Sequence, residues 1–385
     1  MKKYKIAYCT PSLYLAGGVE RVLTTKANYF ADVLGYDIYI ILTDGYGKKP
    51  YYETSSKIHI INLNINFESL WHLSFIKKVI AYLIKQYKYK NKLTKLLFEI
   101  HPDITISLLR REINFINDIN DGSIKIGEMH VNKSHYRNFE NNESNILKNI
   151  FATYWMKSLI KKLKKLDKFI VLTEEDKKNW RELDNSICIP NPLLSIPHEH
   201  SLLNKKNVIA VGRYSYQKGF DLLLRAWKII AAKHPDLVLS IYGDGDRSEY
   251  IQISDELKIS NTCHINKSVP NINDKFLESS IFVLSSRFEG FGMVIIEAMA
   301  CGVPVVSFDC PCGPKDIIQN GINGMLVANG NINELANKIC KVIDHKDLMT
   351  KLSQNGLNCI ENYKIENIAR LWIQLFDNLT DKNNE

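Results

Sequence analysis

Two carboxylates stand beside two glycines in the stretch Ser285-Ser286-Arg287-Phe288-Glu289-Gly290-Phe291-Gly292-Met293-Val294-Ile295-Ile296-Glu297. The glycines let backbone amides approach a ligand, and a loop running into a helix N-terminus is an anion site. Glu289 is expected before the helix and Glu297 two turns into it; if both were helical, their spacing would turn them to within about 80° of each other. An acid beside a phosphate cannot serve the phosphate, so these two are expected to hold sugar hydroxyls. Phosphate and hydroxyl recognition together fit a nucleotide-sugar better than a nucleoside triphosphate.

Cations that could balance a diphosphate stand in Gly212-Arg213-Tyr214-Ser215-Tyr216-Gln217-Lys218-Gly219. Arg213 offers a planar fork and Lys218 a point charge, five residues apart in a glycine-bounded loop. The segment is no P-loop, because no G-x-x-x-x-G-K-[ST] occurs. Gly243-Asp244-Gly245 supplies only a G-x-G, a weak dinucleotide signal. Lys267-Ser268-Val269-Pro270 is a loop placed to touch a base edge with its backbone. Near the start, Gly17 and Gly18 before a helical pattern read equally well as phosphate-contacting amides or as a tight strand-to-helix turn. His130, in Glu128-Met129-His130, stands at a strand end, where a lone histidine is more often structural than a ligand contact.

The elements that must position these residues alternate between strand and helix. Apolar runs predict strands at Tyr4–Cys9, Asp37–Leu42, Lys57–Leu63, Ile104–Leu108, Ile124–Met129 and Phe169–Leu172. A second series is predicted at Val208–Val211, Leu237–Tyr242, Cys263–Asn266, Ile281–Leu284, Val303–Phe308 and Met325–Val327. Intervening helical patterns, such as Phe220–Ala232, argue for parallel sheets covered on both faces. Between the two series lies a proline-broken passage, Ile189-Pro190-Asn191-Pro192 to Pro197-His198-Glu199-His200, read as a linker. A polar segment without periodicity runs from Asn132 to Glu143. Three helical segments close the chain, the last from Ile365 to Leu379, before a polar tail expected to be disordered.

The chain has 385 residues, more than one core usually holds, so two domains are expected. Its charge is uneven: residues 1–200 carry 30 Lys/Arg against 21 Asp/Glu, and residues 201–385 carry 20 against 21. The basic excess therefore belongs to the first half and points to an anionic partner. Two helical patterns concentrate it. Phe75 to Phe98 has Lys77, Lys78, Lys85, Lys88, Lys90, Lys92 and Lys95 without an acid, among Ile76, Val79, Ile80, Leu83, Ile84 and Tyr87. Phe151 to Leu166 has Lys157, Lys161, Lys162, Lys164 and Lys165 among Trp155, Met156, Leu159, Ile160 and Leu163. Basic amphipathic helices suit an anionic membrane interface, where each lysine near the surface adds about 1 kcal/mol. Either one alone reads more simply as a core-facing helix with a solvated lysine face; together with the charge split they are expected to contact a membrane. No motif supports nucleic acid as the partner. The eight cysteines are scattered, with only Cys310-Pro311-Cys312 close-paired, and read as free thiols in a reducing cytoplasm. The apolar run after Met-Lys-Lys-Tyr-Lys is too short for a signal peptide, and no run approaches a membrane span.

Glu289-x7-Glu297, with Gly212-Arg213, Gln217-Lys218-Gly219 and Glu297-Ala298-Met299-Ala300-Cys301-Gly302-x-Pro304 around it, resembles the large retaining glycosyltransferase family called family 4. The resemblance is strong over residues 205–330 and thinner before, where Gly17-Gly18-Val19-Glu20-Arg21 and Pro190-Asn191 are the matching landmarks. It implies an α/β, GT-B architecture of two Rossmann-like doubly wound domains facing across a cleft. Residues 1–195 would bind the acceptor, residues 196–364 the nucleotide-sugar, and residues 365–385 would cross back to the first domain.

By the same resemblance Glu297 takes the ribose hydroxyls, Glu289 a donor-sugar hydroxyl, and Arg213 and Lys218 neutralise the diphosphate as charge builds on it. Amides of Phe291, Gly292, Met293, Val294, Gly17 and Gly18 add to that, Gly243 and Val269 join the donor contacts, and His130 matches a first-domain histidine that touches the donor sugar. Two cations replace a divalent ion, so no metal or cofactor is expected beyond a UDP-sugar co-substrate. Cys310-Pro-Cys-Gly-Pro-Lys-Asp-Ile-Ile resembles a C-P-x-G-P-x-E-I-I segment of members that build bacterial surface polysaccharides, with Asp316 for Glu. The implied reaction is transfer of a hexose or N-acetylhexosamine, with retention, to a glycan acceptor on polyprenyl diphosphate, by a cytoplasmic protein peripheral at the inner face of the membrane. The competing readings are a nucleotide-sugar epimerase of GT-B fold and an inactive nucleotide-sugar-binding module.

Overall fold

The structure, a computed structural model, describes residues 2–136 and 146–382. Part of the aperiodic segment at 132–143 and the end of the polar tail lie outside the described residues. The chain divides into two compact units: Met1–Leu172, Asp176–Pro192 and Ile368–Glu385 form the first, and Thr173–Glu175 with Leu193–Asn367 the second. The division falls inside the proline-broken passage, which is not a loose tether: Ile189, Asn191 and Leu193 are buried, and the Leu193 amide donates to Tyr363 O at 2.6 Å.

The first unit is a parallel sheet of seven strands, β1 (Lys5–Thr10), β2 (Asp37–Leu42), β3 (Ile58–Asn62), β4 (Ile104–Ser107), β5 (Ile124–Glu128), β6 (Lys168–Val171) and β7 (Ser186–Cys188), in the order β3-β2-β1-β4-β5-β6-β7. Ser186–Cys188 is too short and too polar to stand out as a strand; it forms because the backbone of β6 offers it a partner. Successive residues of β1 feed opposite faces. Ile6 and Tyr8 pack under α1 (Gly18–Asp32) and the C-terminal helix Ile365–Lys382, whose Ile368, Ala369, Trp372 and Phe376 enter that core. Ala7 and Cys9 face the other core, covered by α2 (Phe75–Ile100) and α3 (Ile146–Leu163). α2 ends at His101, in a left-handed conformation ahead of Pro102.

The second unit has six parallel strands, β8 (Asn207–Val211), β9 (Val238–Gly243), β10 (Cys263–Lys267), β11 (Ile281–Leu284), β12 (Val305–Asp309) and β13 (Met325–Ala328), ordered β10-β9-β8-β11-β12-β13. The central strands read as unbroken apolar runs because helices cover both faces. The four residues of β11 are all buried, as are Val208, Ile209 and Ala210 of β8. In each unit the order reverses once, between β1 and β4 and between β8 and β11. Open parallel sheets bind ligands beyond the carboxyl ends of the strands at such a reversal. That rule selects the loops after β8 and β11 in the second unit, and the loop after β1 in the first.

Candidate functional site

The loops after β8 and β11 carry Lys218 and Glu289, and the fold brings the two into contact. Lys218 Nζ donates to Glu289 Oε1 at 2.6 Å, and Ser286 Oγ donates to the same oxygen at 2.6 Å. The contact is set by backbone as much as by charge. The Arg287 amide donates to Gln217 O at 2.8 Å, Gln217 Nε2 to Phe288 O at 3.1 Å, and Ser285 Oγ to Lys218 O at 2.9 Å. Arg287 adds a bidentate pair with Asp221 at 2.8 and 2.7 Å and stacks on Tyr216. Burial would raise the Asp221 carboxyl, but the Arg287 bonds hold it below its ordinary value.

Two glycines make this approach possible. Gly219 is left-handed at φ 59°, and a Cβ there would lie 2.1 Å from Ser285 O. A Cβ on Gly243, the last residue of β9, would lie 1.8 Å from Gly212 O, so the β9 end and the Gly212 turn press backbone to backbone. The Lys218 stem crosses the open face of Gly212. Arg213 is exposed beside this loop, and its guanidinium forms no ion pair among the described residues. The loop holding Val269 is tied down through a hydrogen bond from Ser268 to Asp244, leaving Val269 half-buried.

The helix after Glu289 is Met293–Ala300. Gly292, left-handed at φ 89°, stands before it, so the amides of Met293 and Val294 lie in its first turn, while Phe291 is buried. Glu289 lies in the loop before the helix, so the angle that would hold if both acids were helical does not apply. One expectation needs correcting: Glu297 is the fifth helical residue, little more than one turn in rather than two. The helix starts later because Gly292 turns left-handed and the chain before it is held against the Cys310–Gly313 turn. The Glu289 amide donates to Pro311 O at 3.1 Å, and a Cβ on Gly313 would lie 2.3 Å from Phe291 O. Both acids are nonetheless buried, Glu289 at 6% and Glu297 at 8% exposure. Asp316 accepts from the Glu174 amide at 2.8 Å, and Glu175 accepts from the Cys312 amide at 2.8 Å and pairs with Lys315 at 2.9 Å. These bonds hold Thr173–Glu175 within the second unit. Cys310 and Cys312 are buried free thiols, and burial pushes the Cys310 thiol up.

In the first unit, Gly17 precedes α1 and Gly18 opens it, with open space above Gly18. The Glu20 carboxylate folds over Gly17 and fills the place that a Cβ would take. His130 lies just past β5, its side chain only 6% exposed, with Nε2 3.3 Å from Glu128 Oε1. The same oxygen accepts from Lys26 Nζ, which lies 4.4 Å from the Trp372 ring centre. Burial alone would raise the Glu128 carboxyl; Lys26 and His130 overcome it and bring the group down to about 2. Lys26 and Glu128 were not among the expected site residues. Their signal was available: Lys26 sits on the same face of α1 as Val22, Leu23 and Phe30, and Glu128 shares a strand face with His130 at period two.

The basic helices part company. Leu159 and Leu163 of α3 are buried, Met156 and Ile160 pack against the same core, and Trp155 stacks on Tyr136 at 5.7 Å. These five are taken up by the fold, which leaves the lysines beside them on the solvated side of a core helix, although Tyr154 is exposed. The first half of α2 keeps its apolar residues exposed. No helix among the described residues is long and apolar enough to cross a membrane, and no cluster of three metal-ligating side chains occurs among them.

Residues 196–358 match the family model described as glycosyl transferases group 1. An uncharacterized glycosyltransferase of Haemophilus influenzae is 29% identical over 376 residues, covering 96% of this chain and 98% of that one. The poly(ribitol-phosphate) alpha-N-acetylglucosaminyltransferase of Staphylococcus aureus is 31% identical over 258 residues, 66% of this chain but only 50% of that protein. Among solved structures, S. aureus TarM in complex with fondaparinux, alpha-GlcNAc-glycerol and UDP superposes with a TM-score of 0.76 at 18% identity, covering 97% of this chain and 99% of that one. The segment that resembles group 1 glycosyl transferases, under half of the chain, spans the whole Lys218–Glu289 site, and the two Rossmann-like units have the GT-B fold found in glycosyltransferases.

Proposed function

We propose that the chain transfers a hexose or N-acetylhexosamine from a UDP-sugar, with retention and without a metal, to a glycan acceptor on a lipid diphosphate in bacterial surface-polysaccharide synthesis. The observation that carries the reading is the Lys218–Glu289 contact at the reversal point of the second sheet. A cation and an acid at one ligand site match the two halves of a nucleotide-sugar, phosphate and hydroxyls. On donor entry Lys218 turns to the diphosphate beside Arg213, and Glu289 is released to a sugar hydroxyl. Glu297 takes the ribose, Val269 and Gly243 lie among the nucleotide contacts, and the amides of Phe291 to Val294 face the phosphates. For Gly17, Gly18 and His130 of the first unit, the donor contacts are those that the family resemblance implies.

The anomeric carbon loses its bond to the diphosphate oxygen and gains one to the acceptor oxygen on the same face, while the acceptor proton passes to the departing phosphate. Arg213 and Lys218 stabilise the charge that develops there, the work a divalent ion would otherwise do. The poly(ribitol-phosphate) relative and the UDP and alpha-GlcNAc-glycerol of the TarM complex support a UDP-linked donor, an alpha product and an anionic acceptor.

A thermal-shift panel of nucleoside diphosphates and UDP-sugars tests the donor. UDP at a hundredfold excess over its Kd should stabilise the protein by about 2.7 kcal/mol, and no shift with any nucleotide would overturn the reading. Transfer should persist in excess chelator; a strict divalent requirement would remove the metal-free mechanism. A UDP-sugar incubated alone should stay unconverted, since conversion would make the chain an epimerase.

A further inference from the structure

α2 buries only its second half. Tyr89, Leu93, Leu97 and Ile100 are in the core, whereas Ile76, Ile80, Leu83, Ile84 and Tyr87 are 72%, 55%, 61%, 63% and 71% exposed. The exposed set follows i, i+4, i+7, i+8, i+11, one continuous stripe about 100° wide, turned about 120° from the buried set. Trp71 and Phe75, 69% and 81% exposed, stand at its N-terminal end. A helix that faced only its own core would carry polar residues on this side.

The charges beside the stripe say what covers it. By helical position Lys77 and Lys88 run along one edge, and Lys78 lies outward across the helix. None of the three pairs with an acid among the described residues. Lys85 and Lys92 are used by the fold, donating to Ile65 O and Leu63 O at 2.6 Å each, and Lys90 pairs with Asp118. The helix has no acid before Glu99. A second copy seated on the stripe by two-fold symmetry would set these lysines against their own kind, and nucleic acid would leave the apolar side chains without a role. An apolar stripe edged by lysines, with tryptophan and phenylalanine at one end, fits a bilayer of anionic lipid.

We propose that the Trp71–Tyr87 face of α2 is a membrane-docking surface, lying in the plane of an anionic bilayer with Ile76, Ile80, Leu83, Ile84 and Tyr87 entering the acyl boundary. α3 takes no part in insertion. The surface stands on exposure and charge alone and does not depend on the donor or acceptor assigned above.

The test is flotation of the full chain with phosphatidylcholine vesicles, with and without about one-quarter phosphatidylglycerol, at low and physiological salt. Binding should require phosphatidylglycerol and fall with salt. The triple variant Ile80→Ser, Leu83→Ser, Ile84→Ser should lose about tenfold or more in partitioning with an unchanged melting temperature. Lys77→Glu with Lys88→Glu should lose the salt-sensitive part. Absence of flotation at low salt, equal binding by the folded serine variant, or a dimer in sedimentation that the serine changes dissolve would each overturn the proposal. Transfer to a water-soluble acceptor should be unchanged in the serine variant, so failure of vesicle binding and failure of the proposed reaction are read separately.

Discussion

Each unit sets a lysine against a glutamate near the carboxyl ends of its sheet, and the two pairs are built differently. In the second unit Lys218 and Glu289 lie on two loops, with side chains 14% and 7% exposed, and a shared serine completes the contact. In the first, Lys26 and Glu128 lie on a helix and a strand at 2% and 1%, closed by Trp372 of the C-terminal helix. A pair on loops that meets solvent can be exchanged for contacts to a ligand. A pair locked inside a core cannot move without leaving a charge unpaired, so it serves shape and the orientation of its neighbour, His130.

The largest effect that tests this contrast is on turnover. Lys218→Ala should lower kcat/KM by about a thousandfold, and Glu289→Gln by about a hundredfold or more, with melting temperatures close to that of the parent protein. Wild-type rates in either would show that the exchangeable pair is structural after all. Lys26→Ala should do the reverse, costing about 3–5 kcal/mol in urea unfolding because Glu128 is left buried and charged. Lys26→Met together with Glu128→Gln should restore much of that loss. Because the Glu128 carboxyl is depressed in the fold, its contribution is complete above the unfolded carboxylate value. It disappears as pH falls towards about 2, so the double variant should have a shallower acid limb.

A smaller effect is expected at Gly243, where alanine would drive its Cβ into Gly212 O. The strand end must shift, carrying the Lys218 loop with it, and the loss in kcat/KM should be about tenfold to a hundredfold. Glu128→Gln alone should lower kcat about tenfold with little change in KM if the carboxylate orients His130, and conversion of His130 itself to alanine should be no worse in combination than alone. The smallest effect is assigned to α3: Lys161→Glu with Lys165→Glu should leave vesicle binding within about twofold of the parent, since the apolar residues around those lysines, Leu159, Ile160 and Leu163, pack in the core.

Much of the second unit is legible in the chain as written. Its strands are apolar runs bounded by glycine and proline, and Ile281–Leu284 appears in the structure with the same bounds as the pattern. The first unit is less legible at its edge, since Ser186–Cys188 has no strand pattern of its own and exists through its pairing with β6. Glu289 and Lys218 are 71 residues apart, and no local spacing predicts that one oxygen accepts from both Lys218 and Ser286. Lys26 illustrates another limit. It interrupts an apolar helix face in the sequence, and only the buried Glu128 on a distant strand gives the interruption a reason.

By itself the sequence determined the alternation of strand and helix, the glycines where backbones must touch, and the types of side chain at the loops after β8 and β11, because these depend on neighbours within a few residues. Tertiary structure decided which lysine meets which acid and where helix Met293–Ala300 begins. It also decided which of two similar basic helices spends its apolar face on the core. Helical periodicity shows that a face is apolar; what lies against that face depends on elements far along the chain.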